Sequence, residues 1–201
     1  MLHILLREKK VVLASGSPRR KDILQMMGLH FVCRPPNIAE DIKPAERTKP
    51  RLYASRIALE KCKMISKQVD FDSFVIAADT IVYCDKVIFS KPKNRVEAIE
   101  YLSKLSGRIH TVYTALAISY CGLISCDIAK TAVKFRSLSS EEIDYYFQTN
   151  EPMDKAGAYG IQGFGGQFIE SINGCYFNVM GLPVNLLYEK TISLLEHRKK
   201  L

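Results

Sequence analysis

The pattern of apolar and polar positions divides the first third of the chain into short alternating strands and helices. Residues 10–14 (KVVLA) form an unbroken apolar run that predicts a buried strand, and residues 18–27 predict a helix that ends at Gly28. Residues 30–33 predict a second short strand. The segment 37–50 is polar and contains proline, so we expect a loop there.

The middle of the chain predicts two helices separated by a hairpin. Apolar residues recur at helical spacing in residues 51–67 and again in residues 94–105. Between them, residues 74–83 (FVIAADTIVY) predict a strand that turns back into a second strand at residues 87–89. The expected core positions of the two helices are Ala54, Ile57, Ala58, Cys62, Ile65, Ala98, Tyr101, Leu102 and Leu105.

Long strands dominate the last part of the chain. Strands are predicted at residues 110–120, 124–135 and 167–172, and helices at residues 139–149 and 183–198. Ser139 and Glu142 form a capping box at the start of the first of these helices. The expected buried face of the last helix is Val184, Leu187, Tyr188, Thr191 and Leu195. Long antiparallel hairpins mixed with helices favour an α/β or α+β fold over a doubly wound parallel sheet, in a single domain over residues 1–201.

Composition excludes a membrane span and gives little evidence of export. No apolar stretch approaches the ~20 residues that cross a bilayer, and the first residues, MLHILLREKK, place apolar residues before charges, the reverse of a signal peptide. The C-terminal KKL is only a weak peroxisome-type signal. Six cysteines are scattered without a CxxC pair, which disfavours a zinc site and indicates reduced thiols in the cytoplasm. The cysteines are Cys33, Cys62, Cys84, Cys121, Cys126 and Cys175.

The formal net charge of +8 favours an anionic partner, without deciding which kind. Nucleotides and nucleic acids are both anionic, and a solvated basic surface explains the same number. Nucleic-acid binding is disfavoured because basic side chains are spread along the chain and do not cluster with aromatic residues.

The segment SGSPRR (residues 15–20) places two arginines where the helix macrodipole disfavours positive charge. Ser17 suits the N-cap and Pro18 the first helical position. Exposed amides at a helix N-terminus bind anions, and the forked donors of Arg19 and Arg20 match phosphate oxygens. The alternative is an ordinary turn with two solvated arginines.

Asp79 interrupts the apolar run FVIAADTIVY, where a carboxylate is costly unless it is paired, hydrogen-bonded or bound to metal. It is either a functional acid or a residue that caps a turn. Glu40 in the polar loop would complete an oxygen site for Mg²⁺ if it lay near Asp79, and otherwise is a surface charge. Lys61 and Lys91 carry no signal alone.

Residues 157–166, here called the glycine-rich loop, contain glycine at a density that predicts close approach of the backbone to something else. The loop is neither a Walker motif nor a dinucleotide fingerprint. Gln162 is its one side chain that can both donate to and accept from a base edge. A tight turn packed on the core explains the glycines equally well.

Taken together, SGSPRR, AADT, SKP, LSGRIHTVYTALA, DKAGAYGIQGFGG and NVMGLP resemble the Maf family of nucleoside triphosphate pyrophosphatases over nearly the whole chain. The resemblance implies a mixed, elongated sheet with two lobes around a cleft, similar to inosine-triphosphate pyrophosphatases. It also implies a homodimer and a divalent metal, Mg²⁺ or alternatively Mn²⁺, held by Glu40 and Asp79. Hydrolysis of a nucleoside triphosphate to the monophosphate and pyrophosphate is the expected reaction.

The resemblance also assigns roles by position. Ser15, Arg19 and Arg20 match the phosphate-handling loop, Lys61 and Lys91 match two functional lysines that contact substrate, and Asp79 matches the proton acceptor. The pattern is similar to the dTTP/UTP-cleaving members at three specificity positions. These are Arg19, Thr80 and Gln162, where relatives that cleave 7-methyl-GTP have an aromatic residue, Gln and Glu. Ser90 departs from the Glu or Gly that often precedes the second lysine.

Two other functions stay open at this point. One is a regulator of cell division that acts by binding nucleic acid or protein, and the other is a pyrophosphatase for modified purine triphosphates. Pyrophosphate release from a nucleotide panel separates them from the pyrimidine-specific enzyme.

Overall fold

A long mixed sheet runs through the molecule, with helices packed on both faces. The computed structural model describes residues 1–149 and 151–200, and the sheet in that part of the chain has seven strands. The strands are β1 (Val11–Leu13), β2 (Val32–Cys33), β3 (Phe74–Cys84), β4 (Val87–Phe89), β5 (Ile109–Tyr120), β6 (Leu123–Phe135) and β7 (Ile169–Asn173). The helices are α1 (Leu2–Leu5), α2 (Pro18–Met26), α3 (Pro50–Ser66), α4 (Arg95–Leu105), α5 (Ser140–Phe147), α6 (Tyr176–Met180) and α7 (Val184–Lys199).

The strand order is β2-β1-β3-β5-β6-β7, with β4 beside β3. β1 pairs in parallel with both β2 and β3, whereas β3, β5, β6 and β7 follow one another in antiparallel pairs. The expectation of a mixed sheet rather than a doubly wound one is therefore confirmed.

The two edges of β3 are paired differently, and this difference creates the site. One edge pairs with β5 from Val75 to Tyr83. The other edge pairs with β1 as far as Ile76 and with β4 from Val82 onward. Among the described residues, positions 77–81 have no strand neighbour on this second edge. The sheet is open there, and Asp79 lies in the middle of the opening.

The cores lie on either side of this opening. Alternating residues of the first half of β3 belong to two cores, one shared with α2 and α7 and the other with α3. A third core contains Val82 and Cys84 at the end of β3 and packs against α4 and α5. The predicted arrangement of two lobes around a cleft is thus confirmed.

Most predicted elements are confirmed to within two residues, and the differences have simple causes. α1 and α6 were not predicted, because helices of four and five residues show no periodicity. The predicted loop at residues 37–50 contains a single 3-10 turn, Pro44–Glu46. Residues 164–168 form another 3-10 turn, so β7 begins later than expected.

The last helix is buried along a slightly different face from the one predicted. Leu187, Thr191 and Leu194 are its buried residues, whereas Leu195 is half-buried. Leu194 lies seven residues after Leu187, so the two share one helical face. Within the part of the chain that the structure describes, no helix is both long and apolar enough to cross a membrane. Leu201, the last residue of the KKL signal, lies outside the described residues.

Candidate functional site

The opening beside β3 is a cavity of about 520 Å³. Its walls come from the segment after β1, the start of α2, α3, the centre of β3, the segment after β4 and the glycine-rich loop. Of the described side chains that line it, five are cationic and three are carboxylates. The lining therefore carries more positive than negative groups, which suits a polyanion. The lining ions are Arg19, Arg20, Lys61, Lys91, Lys155, Glu40, Asp79 and Asp154.

Lys61 joins the two carboxylates that the sequence places far apart. Its Nζ lies 2.8 Å from Oδ1 of Asp79 and 2.6 Å from Oε1 of Glu40. Lys61 and Asp79 are both buried, whereas Glu40 is partly exposed at the mouth of the cavity. A buried ammonium between two carboxylates is stable only because each charge satisfies the others. The structure thus brings Glu40 and Asp79 together through one shared lysine.

The two carboxyl groups have opposite pKa shifts. Burial raises the pKa of Asp79, the Glu40 carboxylate adds to the rise, and the Lys61 ammonium opposes it. Burial also acts to raise the pKa of Glu40, but the lysines Lys61 and Lys91 outweigh it and the pKa is lowered. Asp79 is therefore the better proton acceptor of the pair, and Glu40 stays ionised.

Two further contacts hold Glu40 at the cavity mouth. Its backbone carbonyl accepts a hydrogen bond of 2.7 Å from the hydroxyl of Tyr53, which α3 places beneath the loop. Lys91 Nζ lies 3.6 Å from Glu40 Oε2 and is mostly exposed. Lys91 is thus a loosely held cation that can turn toward a ligand.

The segment SGSPRR forms the predicted turn into α2, with Ser17 at the N-cap position. The Ser17 side chain makes no capping hydrogen bond. Instead, the Ser17 amide donates to Ser15 Oγ at 3.2 Å, and Arg20 Nη1 donates to the same oxygen at 3.0 Å. The first-turn amides thus have no side-chain cap, and residues 17–20 line the cavity, which suits the anion seat that the sequence suggests.

Arg20 explains how α2 accepts positive charge in its first turn. Its side chain is buried, with Nε donating to the carbonyl of Gly181 at 2.7 Å and Nη2 donating to Thr80 Oγ1 at 3.1 Å. Gly181 caps the C-terminus of α6, where the helix dipole favours a cation. Three of the five N–H groups of the Arg20 guanidinium donate hydrogen bonds to protein atoms. Burial lowers the pKa of Arg20, and Asp79 opposes that shift.

Arg19 points across the cleft to the opposite wall. Its Nη1 lies 2.8 Å from Oδ2 of Asp154, whose other oxygen is 2.5 Å from Lys155 Nζ. Asp154 begins the segment that leads into the glycine-rich loop. The ion pair therefore ties the start of α2 to that loop.

The two predicted base-reading residues have different surroundings. Thr80 Oγ1 accepts from Arg20 and lies 3.0 Å from Thr114 Oγ1, which donates to the Asn178 carbonyl at 2.9 Å. Thr80 thus positions Arg20, although it also lines the cavity. Gln162 is exposed and lines the cavity from the glycine-rich loop.

Sequence reasoning missed the residues that hold others in place. Tyr53, Thr114, Asn178 and Gly181 show no chemical signal in the sequence, because each acts through a backbone carbonyl or a hydroxyl. Asp154 is the first residue of the motif DKAGAYGIQGFGG, in which only the glycines and Gln162 carried a functional prediction. Its acidic side chain, opposite the cationic SGSPRR, was the one available signal.

The donor set at Asp79 fits a hard divalent cation only with help from a ligand. Among the described residues there is no group of three or more His, Cys, Asp or Glu side chains that could hold a metal ion. Glu40 and Asp79 supply two carboxylates, and Lys61 occupies one oxygen of each. Mg²⁺ is commonly held by one or two carboxylates together with substrate phosphates, and these residues fit that mode.

Comparison with known proteins identifies the family of the chain. The model of the family described as Maf-like protein matches residues 10–194. A dTTP/UTP pyrophosphatase of Neisseria gonorrhoeae is 46% identical over 192 residues, covering 92% of this chain and 91% of that protein. One of Aquifex aeolicus is 45% identical over 182 residues, covering 90% and 93%.

A solved dITP/XTP pyrophosphatase of Mycobacterium abscessus is 12% identical, with a TM-score of 0.43, and the match covers 93% of this chain and 97% of that one. Similarity at that level is too weak to support an argument about the fold. The family model and the curated relatives each cover most of the chain, and the chain therefore belongs to the Maf family.

Proposed function

We propose that the protein hydrolyses dTTP and UTP between the α and β phosphates, releasing the nucleoside monophosphate and pyrophosphate. The observation that carries the proposal is the buried Asp79, with a raised pKa, beside a cavity whose charged side chains are mostly cations. The names of its relatives give the reaction and the two substrates. The cavity is large enough for a nucleotide.

Asp79 is the general base in this proposal. A carboxylate with a raised pKa is a stronger base than an ordinary aspartate, which suits removal of a proton from the attacking water. Lys61 keeps Asp79 ionised in the resting enzyme because its ammonium lies 2.8 Å from the carboxylate. Once Asp79 has taken the proton, Lys61 remains paired with Glu40.

The cations of the cavity bind and align the triphosphate. The amides at the start of α2 and the side chains of Arg19 and Lys91 bind phosphate oxygens, and Arg20 shapes the turn through Ser15. Fixing the phosphates in line lowers the entropy cost of attack, and the cations stabilise charge on the departing pyrophosphate. Arg19 exchanges Asp154 for phosphate when substrate binds.

A divalent metal completes the proposal. Glu40 and Asp79 would hold Mg²⁺, or Mn²⁺, together with substrate phosphates. When bound, the metal neutralises phosphate charge and lowers the pKa of a water molecule. The homodimer implied by the family resemblance and the cytoplasmic location indicated by the scattered cysteines stay predictions.

Pyrimidine selection is assigned to Gln162 and Thr80. Gln162 lines the cavity and is exposed to it, so its carboxamide can both donate to and accept from a uracil or thymine edge. Thr80 also lines the cavity, and it contributes by accepting a hydrogen bond that positions Arg20.

The test is pyrophosphate release from a panel of dTTP, UTP, CTP, GTP, 7-methyl-GTP and dITP with Mg²⁺. We expect dTTP and UTP to give the highest kcat/KM, and EDTA to abolish turnover. A preference for dITP or 7-methyl-GTP would contradict the assigned substrates. Release of orthophosphate in place of pyrophosphate would contradict cleavage between the α and β phosphates.

A further inference from the structure

The glycine-rich loop is built around the carboxylate of Glu151. Oε2 of Glu151 accepts a hydrogen bond of 2.8 Å from the amide of Phe164. Oε1 accepts from the amide of Gly165 at 3.3 Å and from the hydroxyl of Tyr146 at 3.0 Å. The backbone of Glu151 is fixed as well, because its carbonyl accepts from Lys155 Nζ at 2.7 Å. The Glu151 side chain thus binds two backbone amides of the loop.

The carboxylate explains directly why Gly163 is glycine, and Tyr146, which holds the carboxylate, contributes at Gly165. A Cβ at Gly163 would overlap Oε2 and Cδ of Glu151. A Cβ at Gly165 would lie 2.8 Å from the Tyr146 hydroxyl, which holds the same carboxylate. Gly163 has an extended backbone, with φ of −108° and ψ of −151°, which any residue can adopt. Close approach to Glu151, rather than an unusual backbone angle, therefore requires glycine at this position.

Glu151 does not itself line the cavity, but the loop that it holds does. Gly160, Ile161 and Gln162 face the cavity, and the amides that Glu151 binds follow directly after them. Tyr146 packs edge-on against Phe168, with ring centroids 4.9 Å apart, so the anchor rests on a buried aromatic cluster. The hydrogen bonds that the Glu151 carboxylate accepts are charge-assisted and are therefore stronger than neutral hydrogen bonds.

We propose that Glu151 is a positioning residue for substrate selection: it fixes the glycine-rich loop so that Gln162 meets the pyrimidine edge. The identity of the substrate in this inference rests on the proposed function. The role of Glu151 in holding the loop rests on the geometry alone. A carboxamide at position 151 keeps the shape but loses the charge. It also turns an NH₂ donor toward the loop amides, which are donors themselves.

The experiment compares Glu151→Gln with Glu141→Gln, which removes an exposed acid on the neighbouring α5 and leaves the loop untouched. For Glu151→Gln we expect kcat/KM with UTP to fall about tenfold, mainly through a higher KM. The ratio of kcat/KM for UTP to that for GTP should fall with it. A variant that merely folds less well lowers apparent kcat and leaves KM and this ratio unchanged.

Amide hydrogen exchange provides a measurement that does not depend on activity. Exchange over residues 160–166 should be faster in Glu151→Gln than in the wild type, and unchanged in Glu141→Gln. Tyr146→Phe removes one of the three bonds to the carboxylate and should give an intermediate rate, even if Glu151→Gln fails to fold.

The outcomes separate the two proposals. If the wild type cleaves UTP but Glu151→Gln retains its KM and its UTP-to-GTP ratio, the positioning role is overturned and the proposed function stands. If the wild type releases no pyrophosphate from any nucleotide, the proposed function fails. Unchanged exchange at residues 160–166 in both Glu151→Gln and Tyr146→Phe overturns the anchor in either case.

Discussion

The two walls of the cleft are built by opposite means. The charged wall, formed by Ser15, Arg20, Glu40, Lys61 and Asp79, consists of side chains held by hydrogen bonds and ion pairs of 2.6–3.0 Å. The glycine-rich loop faces it with backbone and few side chains, and takes its shape from Glu151 outside the cavity. The charged wall depends on the side chains that are present, whereas the shape of the glycine-rich loop depends on glycines, which have no side chain.

This difference assigns separate tasks to the walls. Buried, mutually paired charges cannot move without a large cost, which suits chemistry that needs fixed positions. A loop whose two amides are held by one carboxylate presents Gln162 in one position, which suits selection among bases. Variants of the charged wall should therefore lower turnover for every nucleotide, whereas variants of the loop should change which nucleotide is preferred.

Asp79→Asn should give the largest effect, because it keeps the shape of the charged wall and removes its base. We expect kcat for UTP to fall by about 10³-fold, within the range for loss of a general base, with little change in KM or in the UTP-to-GTP ratio. Steady-state pyrophosphate release measures all three. Asp144→Asn, an exposed acid on α5 outside the cavity, is the matched control. Near-normal turnover of Asp79→Asn would remove Asp79 from the role of base.

Lys61→Met should be the next most severe change, and it has a signature in the pH profile. Lys61 opposes the effect of burial on Asp79, so its loss should raise the pKa of Asp79 further. The acidic limb of the kcat/KM profile should then move to higher pH, with activity at pH 7 reduced by about 10²-fold. Lys61→Arg retains the charge and should move the limb less. An unshifted limb in Lys61→Met would mean that another group titrates there.

The charged wall was largely predictable from the sequence, and the reason is chemical. A carboxylate inside FVIAADTIVY and paired arginines at a helix start are both unfavourable unless something compensates them, so each indicates a site. The sequence could not show that Lys61 bridges Asp79 and Glu40. Nor could it show that Arg20 turns inward to Gly181, since these contacts depend on how α3 and α6 pack.

The glycine-rich loop was only half predictable. Its composition correctly indicated that the backbone approaches something closely, but glycine does not reveal what is approached. At Gly163 the partner is Glu151, and its sequence position next to Pro152 resembles that of any surface acid. The fold itself followed from periodicity wherever elements were long. Periodicity did not predict α1 and α6, because these short helices are stabilised by burial of Leu2 and Met180 rather than by an amphipathic pattern.

His110 links Tyr159 of the glycine-rich loop to the protein interior and should make the folding stability sensitive to pH. Its Nε2 lies 2.7 Å from the hydroxyl of Tyr159, and burial lowers the pKa of His110 to about 4. Between that value and the ordinary 6.5, the unfolded chain binds a proton that the folded chain does not. Folding stability should therefore fall as the pH is lowered from 7 to 4.5, by on the order of 2–3 kcal/mol for this residue.

The check is urea unfolding of the wild type and His110→Gln at both pH values. Gln cannot titrate and can still bond to Tyr159, so the variant should lose 2–3 kcal/mol less than the wild type over this interval, on the order expected from linkage. Equal losses in the two proteins would show that His110 does not control the pH dependence.

Gln162→Glu should give the smallest effect and the most specific one. A carboxylate cannot donate to a pyrimidine carbonyl, and its charge opposes the triphosphate, so kcat/KM for UTP should fall about tenfold. The ratio of kcat/KM for UTP to that for GTP should fall as well, because the lost N–H donor is the one proposed to bind the pyrimidine edge. Gln167→Glu adds the same charge at an exposed position that does not line the cavity, and should leave the ratio unchanged. If both variants lower UTP and GTP turnover equally, the loop contributes only charge, and the division of tasks between the two walls is wrong.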